Sequence, residues 1–265
     1  MRSNKAIRVL IFIASVMITT IDCTGHRDAV REKGYPTRVL FIGNSLTYSN
    51  DLPDTFAKLA QAGGHEVEVE MQAPSDYTLS LHVRTPRALE KVEQQQWDFV
   101  VLQGHNYVAV DEERIEHDMY PAIRLLDAKI RETGATTLLF MTWGFRGGSP
   151  SYGYDDFFAM QTRLESTYTE IAEEIDAMVA PVGIAWKSAI EQDPKLMAVL
   201  WDQSDAIHPA TAGTYLTACV FYAVIFHESP ENLEFRDELS EQNARFLQGV
   251  AASTVLDNPG RWNQR

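Results

Sequence analysis

Val39-Leu40-Phe41-Ile42 is an uninterrupted apolar run that stops at Gly43. A run of this kind, bounded by turn signals, reads as a strand buried on both faces, as in a parallel sheet. Asn44 and Ser45 follow, and a helix is expected soon after. Asp51 stands as its N-cap, Pro53 in its first turn, and Phe56, Leu59 and Ala60 at helical spacing. Ser45 is therefore expected at the C-terminal edge of a central strand, on the turn into a helix. Open α/β sheets bind ligands at that edge. A serine there can aim its hydroxyl at a substrate, with nearby backbone N–H groups facing a developing negative charge. The plainer reading of the same stretch is a turn built from small residues.

The rest of the chain narrows the class. It has 265 residues, 45% of them hydrophobic, enough for a large core. Lys and Arg number 23 against 37 Asp and Glu, a net charge of -14. That balance argues against nucleic acid or an anionic membrane as a partner, because both select clustered positive charge. The start of the chain is read separately. Arg2, Lys5 and Arg8 precede the mostly apolar stretch Val9 to Ile21, too short for a comfortable membrane span and fitting an export signal over residues 1–25. A short anchor is the alternative. Cys23 allows lipid attachment, although Ile21-Asp22 before it is a poor match to the small residues such a site prefers, and cleavage after Gly25 is a further option. An exported protein, periplasmic or extracellular, is expected, with lipid anchoring at Cys23 the lesser case and no membrane span in the mature chain. Cys219, in an apolar run, reads as a buried small hydrophobe. No C-x-x-C, H-E-x-x-H, Walker loop or G-x-G-x-x-G is present, so neither metal nor cofactor is expected.

Along the chain, residues 26–37 read as a linker and 38–258 as one domain. Strands are expected at the first apolar run, at Glu66 to Met71 (alternating, hence an edge), at Trp97 to Leu102, at Thr136 to Thr142 and at Ala177 to Val182. Helices are expected between them: 53–62, 79–96 broken at Pro86, 112–132 in two pieces about Pro121, 155–176, 184–191, 211–226 and 238–256. This order implies a three-layer α/β/α sandwich on a five-stranded parallel sheet. Ser45, Asp76, Asn106, Asp205 and His208 then fall at the C-terminal ends of strands. The loop Trp143 to Tyr154, with four glycines and a proline, lies over the same edge and can shape a pocket.

A serine hydroxyl needs a base, a group to orient that base, and donors for the oxyanion. His208 can be the base, held by Pro209, which reads as the start of a helix. Asp205, three residues earlier, can accept the Nδ1 proton and leave Nε2 for Ser45. Asp202 is a second candidate acid. Asn106 and the Ser45 N–H can supply oxyanion donors. Each piece alone is common, and it is their joint position on one sheet edge that raises the reading.

Gly43-Asn44-Ser45-Leu46-Thr47, Gly104-His105-Asn106 and Asp205-Ala206-Ile207-His208-Pro209 resemble the nucleophile, oxyanion and acid–base blocks of the SGNH (GDSL-type) hydrolases. The resemblance spans roughly 38 to 227 and points to uncharacterised exported bacterial members. It implies a flavodoxin-like sheet in order 2-1-3-4-5, a catalytic set of Ser45, Asp205 and His208, and an oxyanion hole of Ser45, Asn106 and a third donor. Two positions depart from the pattern. The second block normally has a glycine, and here it reads Pro74-Ser75-Asp76-Tyr77-Thr78, which puts the donor at Asp76. Tyr107 stands where an Asp is usual, leaving the support of Asn106 unexplained. The expected activity is a serine esterase acting on a small-molecule or carbohydrate ester, such as O-acetyl groups on a carbohydrate or cell-wall polymer. Acyl transfer through the same intermediate, or a non-catalytic carbohydrate-binding module on the same fold, are the rivals. A nucleotide or flavin binder is disfavoured, since no strand is followed by a phosphate-cradling loop.

Overall fold

The computed structural model describes residues 35–262. The export signal expected at 1–25, Cys23 and nearly all of the linker at 26–37 lie outside these residues. The packed unit begins at Pro36.

In chain order the elements are β1 (Thr37–Ile42), α1 (Ser45–Tyr48), α2 (Leu52–Ala62), β2 (Val67–Gln72), α3 (Leu79–Arg84), α4 (Pro86–Gln94) and β3 (Phe99–Leu102). Then follow α5 (Asn106–Ala109), α6 (Glu112–Arg114), a π-helical turn at Ile115–Met119, α7 (Tyr120–Thr133), β4 (Thr136–Phe140) and α8 (Phe157–Ile175). β5 (Met178–Ala180), α9 (Val182–Gln192), α10 (Thr211–Phe226) and α11 (Glu241–Leu256) complete the chain, with a last turn at Pro259–Trp262. The five strands form one sheet in the order β2-β1-β3-β4-β5, and every pair is parallel.

The pleat explains the three layers. Along β1, Val39 and Phe41 face one core with α2, α9, α10 and α11, while Leu40 and Ile42 face the other with α4, α7 and α8. All four are fully buried, which is why the run carries no alternation. β2 alternates partly buried with exposed residues because it is the sheet edge. α10 is apolar around its whole circumference and buried on all sides between α2, α9 and α11. Trp262, 2% exposed, packs into the second core and carries the domain a turn beyond residue 258.

The register aligns the strand ends that matter. Ile42 pairs with Gln72 on one side and Leu102 on the other, and Leu102 with Leu139. The loops after β1, β2 and β3 therefore leave the sheet side by side.

Several local expectations need correcting. Ser45 does not sit on an open turn: it opens the one-turn helix α1, with Asn44 as N-cap accepting from the Leu46 amide. Asp51 precedes α2 but makes no side-chain cap, because its backbone is left-handed (φ 51°), as is that of Asn50 (φ 52°). Pro209 does not start a helix. It pairs with Trp201 in an isolated antiparallel bridge, and α10 begins at Thr211 with Ala210 as its N-cap. Asn106, expected at the end of the third strand, lies just past it as the first residue of α5.

Candidate active site

The turn after β1 is built from close contacts. A side chain on Gly43 would stand 2.3 Å from Thr47 Oγ1 and 2.5 Å from Gln103 Oε1, so only hydrogen fits. Gln103, buried at the end of β3, accepts from the Asn44 amide at 2.8 Å and from the Thr47 hydroxyl at 3.0 Å. On the other side, His82 of α3 donates from Nε2 to the Gly43 carbonyl at 2.7 Å. Burial holds the His82 imidazole below its usual pKa, although the Gly43 carbonyl pulls it back up, so the ring is neutral. These bonds set Ser45 at the first helical position, and its amide and hydroxyl have no hydrogen-bond partner among the described residues.

The loop after β2 reaches the same place. Asn44 Nδ2 donates to the Tyr77 carbonyl at 3.0 Å, joining the first two strand-end loops. Pro74 to Tyr77 is a turn in which Asp76 has φ 59°, the left-handed conformation that favours glycine. The missing second-block glycine thus has a conformational counterpart at Asp76. Its carboxylate accepts from Ser75 Oγ at 3.0 Å, and its amide has no partner among the described residues.

Asn106, 2% exposed, is oriented from β4 rather than from residue 107. Its Oδ1 accepts from the Thr142 hydroxyl at 2.6 Å, and its Nδ2 donates to the Trp143 carbonyl at 2.8 Å. One donor and one acceptor fix which end of the amide is nitrogen and leave one Nδ2 proton free. Tyr168 supports this pair: its hydroxyl meets Thr142 and accepts from the Gly104 amide at 3.1 Å. Burial pushes that hydroxyl up to about 12, so it stays protonated at neutral pH.

The Asp205–His208 loop is drawn tight by Ala206 in the left-handed region (φ 60°). Asp205 Oδ2 meets His208 Nδ1 at 2.5 Å, and Oδ1 accepts from the Ile207 and His208 amides at 2.8 and 3.0 Å. Burial works to raise the Asp205 carboxyl, but these hydrogen bonds, led by that from His208, outweigh it and leave the pKa below the usual carboxylate value. Nδ1 is engaged, so Nε2 is the free ring nitrogen. Asp202 is directed elsewhere: its Oδ1 accepts from the Ser204 amide and hydroxyl, both at 2.7 Å.

Two residues outside the sequence motifs tie these loops together. Trp143 accepts from Asn106 through its carbonyl and donates from Nε1 to the Ile207 carbonyl at 3.0 Å, linking the third strand end to the histidine loop. Its indole stacks on Trp186 at 4.2 Å, and Trp186 meets Trp201 edge-on at 4.8 Å. Asn50 donates from Nδ2 to the Pro209 carbonyl at 2.7 Å and to Thr214 Oγ1 at 3.0 Å, linking the end of α1 to the residue after His208. Neither has a local sequence signature, because each partner lies far along the chain.

Beside Asp76 opens a cavity of about 410 Å³ lined by Asp76, Thr78, His105, Tyr107, Arg114 and Tyr152, two of which flank Asn106 in the chain. Tyr152 comes from the glycine-rich loop expected to shape a pocket. Among the described residues no group of three or more His, Cys, Asp or Glu side chains is arranged to hold a metal ion. No helix there is long and apolar enough to cross a membrane.

No protein-family model matches the sequence, and no curated protein matches it. Solved structures do match. A candidate SGNH hydrolase from Slackia heliotrinireducens is 24% identical, with a TM-score of 0.60 over 72% of this chain and 100% of that one. A DUF4886 family protein from Bacteroides uniformis is 16% identical, with a TM-score of 0.69 over 84% of this chain and 95% of that one. An acetylxylan esterase from Geobacillus stearothermophilus is 17% identical, with a TM-score of 0.56 over 71% of this chain and 93% of that one. The five-stranded parallel sheet in the order 2-1-3-4-5 with helices on both faces is the fold that this chain shares with these structures.

Proposed function

We propose that the protein is a serine esterase that hydrolyses a carboxylic ester, of the O-acyl kind found on carbohydrates or cell-wall polymers, through an acyl-enzyme on Ser45. The observation that carries the reading is the 2.5 Å Asp205–His208 hydrogen bond. It leaves the other imidazole nitrogen free, and the reading is supported by Asn50, just past the helix that Ser45 opens, which bonds the carbonyl of Pro209 next to His208. Ser45 Oγ attacks the ester carbonyl while His208 Nε2 takes its proton. Asp205 holds the tautomer and balances the imidazolium that forms. The oxyanion is met by the Ser45 amide, the free Asn106 Nδ2 proton and the Asp76 amide, donors aimed where charge develops. His208 then gives its proton to the departing alkoxide. A water deprotonated by His208 attacks the acyl-enzyme, and collapse returns the proton to Ser45 with release of the acid. The acetylxylan esterase among the similar structures supports the carbohydrate reading through a shared fold.

The test is covalent labelling with a fluorophosphonate, read by peptide mass spectrometry, together with aryl acetate turnover. Wild type should label on Ser45, and Ser45→Ala and His208→Ala should each lose nearly all turnover, with the double variant no worse, because triad members act as a unit. Absence of labelling, or near wild-type turnover in Ser45→Ala, would reject the esterase in favour of a binding module.

A further inference from the structure

The cavity beside Asp76 combines side chains that none of the catalytic steps uses. Arg114 is only partly exposed, and its nearest carboxylate, Asp118, stands 3.6 Å from Nε, beyond hydrogen-bond reach. None of its guanidinium N–H groups has a hydrogen-bond partner among the described residues. It ends α6 and leads into the π-helical turn, a rare geometry that often marks functional positions and that packs here against α3 and α5. The hydroxyls of Tyr107 and Tyr152 likewise have no partner among the described residues. Their rings lie 6.0 Å apart at 37°, and Tyr107 is propped by Phe145 at 4.9 Å and by His105 at 5.6 Å. Burial holds the His105 imidazole below its usual pKa; Asp76 opposes that shift and Arg114 adds to it. The walls therefore present one cation, one anion, a neutral imidazole and two tyrosine faces.

This lining excludes two classes of occupant. An acyl chain would strip water from Arg114, Asp76 and the hydroxyls without replacing their hydrogen bonds, which is unfavourable for each group. An acidic group would gain Arg114 but would meet Asp76 and Asp118 in a protein of net charge -14. A ring with apolar C–H faces and several hydroxyls satisfies every group, since hydroxyls both donate and accept. Building on the esterase reading, on which it rests, we propose that this cavity binds a neutral sugar ring of the substrate. Tyr107 and Tyr152 face the ring, Arg114 donates to its hydroxyls and Asp76 accepts from them.

The test separates binding from turnover. Full-length Ser45→Ala protein is titrated with xylotetraose, cellotetraose and tetragalacturonate, followed by NMR. In parallel, wild type is assayed on 4-nitrophenyl acetate. At least one neutral oligosaccharide should bind about tenfold or more tighter than tetragalacturonate. Arg114→Met in the same background should weaken that binding about tenfold or more, the loss expected for one charge-assisted hydrogen bond. Tyr152→Leu should weaken it as well, and the backbone NMR spectrum of each variant shows whether it is folded. Preference for tetragalacturonate, no binding of either neutral sugar, or binding indifferent to both substitutions overturns the proposal. If neutral sugar binds as expected but aryl acetate is not hydrolysed, the esterase reading fails and the sugar site stands. The converse result removes the sugar site and leaves the esterase.

Discussion

Asn50 offers a direct measure of how the nucleophile and the base are kept in register. Both it and Asp51 occupy the left-handed region, a conformation that costs an ordinary L-residue roughly 1–2 kcal/mol and asparagine less. What holds Asn50 there is its pair of side-chain hydrogen bonds to the Pro209 carbonyl and Thr214, across a sequence separation of about 160 residues. Asn50→Ala removes both bonds and leaves the unfavourable φ uncompensated. Each bond contributes about 0.5–1.5 kcal/mol, at the low end because the residue is largely exposed. With about 1 kcal/mol for the backbone, the expected destabilisation is about 2–3 kcal/mol. For a domain of this size that lowers Tm by about 4–12 °C. Asn50→Gly removes the same bonds but tolerates φ 52°, so it should lose about 1 kcal/mol less than Asn50→Ala. On an aryl acetate both variants should lose kcat to a similar extent, about tenfold, because the link to Pro209 is gone in both and reactive geometry is sensitive to small displacements. KM should move little. Thermal denaturation and steady-state kinetics on the two variants read the two effects separately. Unchanged kcat in both would refute the idea that Asn50 spaces Ser45 from His208. Equal stability of Ala and Gly would refute the account of the strain.

The oxyanion assignment predicts that Asn106→Ala lowers kcat by about 10²–10³ with little change in KM. Thr142→Val, which removes only the hydroxyl that orients Asn106, should lower kcat by about 2–12-fold, the worth of one hydrogen bond, and a neutral Asn106→Ala would place the hole elsewhere. Asp76→Gly should keep or raise Tm, since the turn needs φ 59° and not a carboxylate; a clear fall in Tm would show that the side chain holds the turn. His82 has a depressed pKa, so the fold favours its neutral ring. Its contribution to stability is complete above about pH 6.5 and is lost as pH falls through the lower folded value. In NMR its ring should reach half-titration below pH 6.5, and half-titration at or above that pH would contradict the burial argument.

Most of the architecture was legible in the chain. The run from Val39 to Ile42 is apolar at every position, as a strand covered on both faces can be, and the alternation at Glu66 to Met71 pointed to a strand with one polar face, which the structure places at the sheet edge. Local signals of this kind carry strand and helix periods, and glycine and proline mark most of the breaks. Pro121 falls in the first turn of α7 and Pro86 in that of α4, so the expected interruptions are real. Less legible were the one-turn elements. α1 and α5 are too short to show a period, and both are set by bonds from neighbouring strands, such as Gln103 to Asn44 and Thr142 to Asn106.

The candidate site divides in the same way. Asp205 and His208 are three residues apart, so a single loop can join them, and the sequence alone could pair them. Spacing put Asp205 ahead of Asp202; in the structure Ser204 donates to Asp202, while Asp205 meets His208 Nδ1 across the left-handed turn at Ala206. The sequence could not supply Thr142, Trp143, Tyr168 or Asn50 as supports, whose partners lie tens of residues or more away along the chain. The cavity of Asp76, Arg114 and Tyr152 draws on three segments far apart in the chain, and no spacing announces it. Periodicity and turn chemistry act between near neighbours and determined the sheet, the helices and the strand ends where chemistry can occur. The placing of the Ser45 turn and of the Asn106 amide is decided by long-range hydrogen bonds, which exist only once the parallel sheet has set the loops after β1, β2 and β3 beside one another.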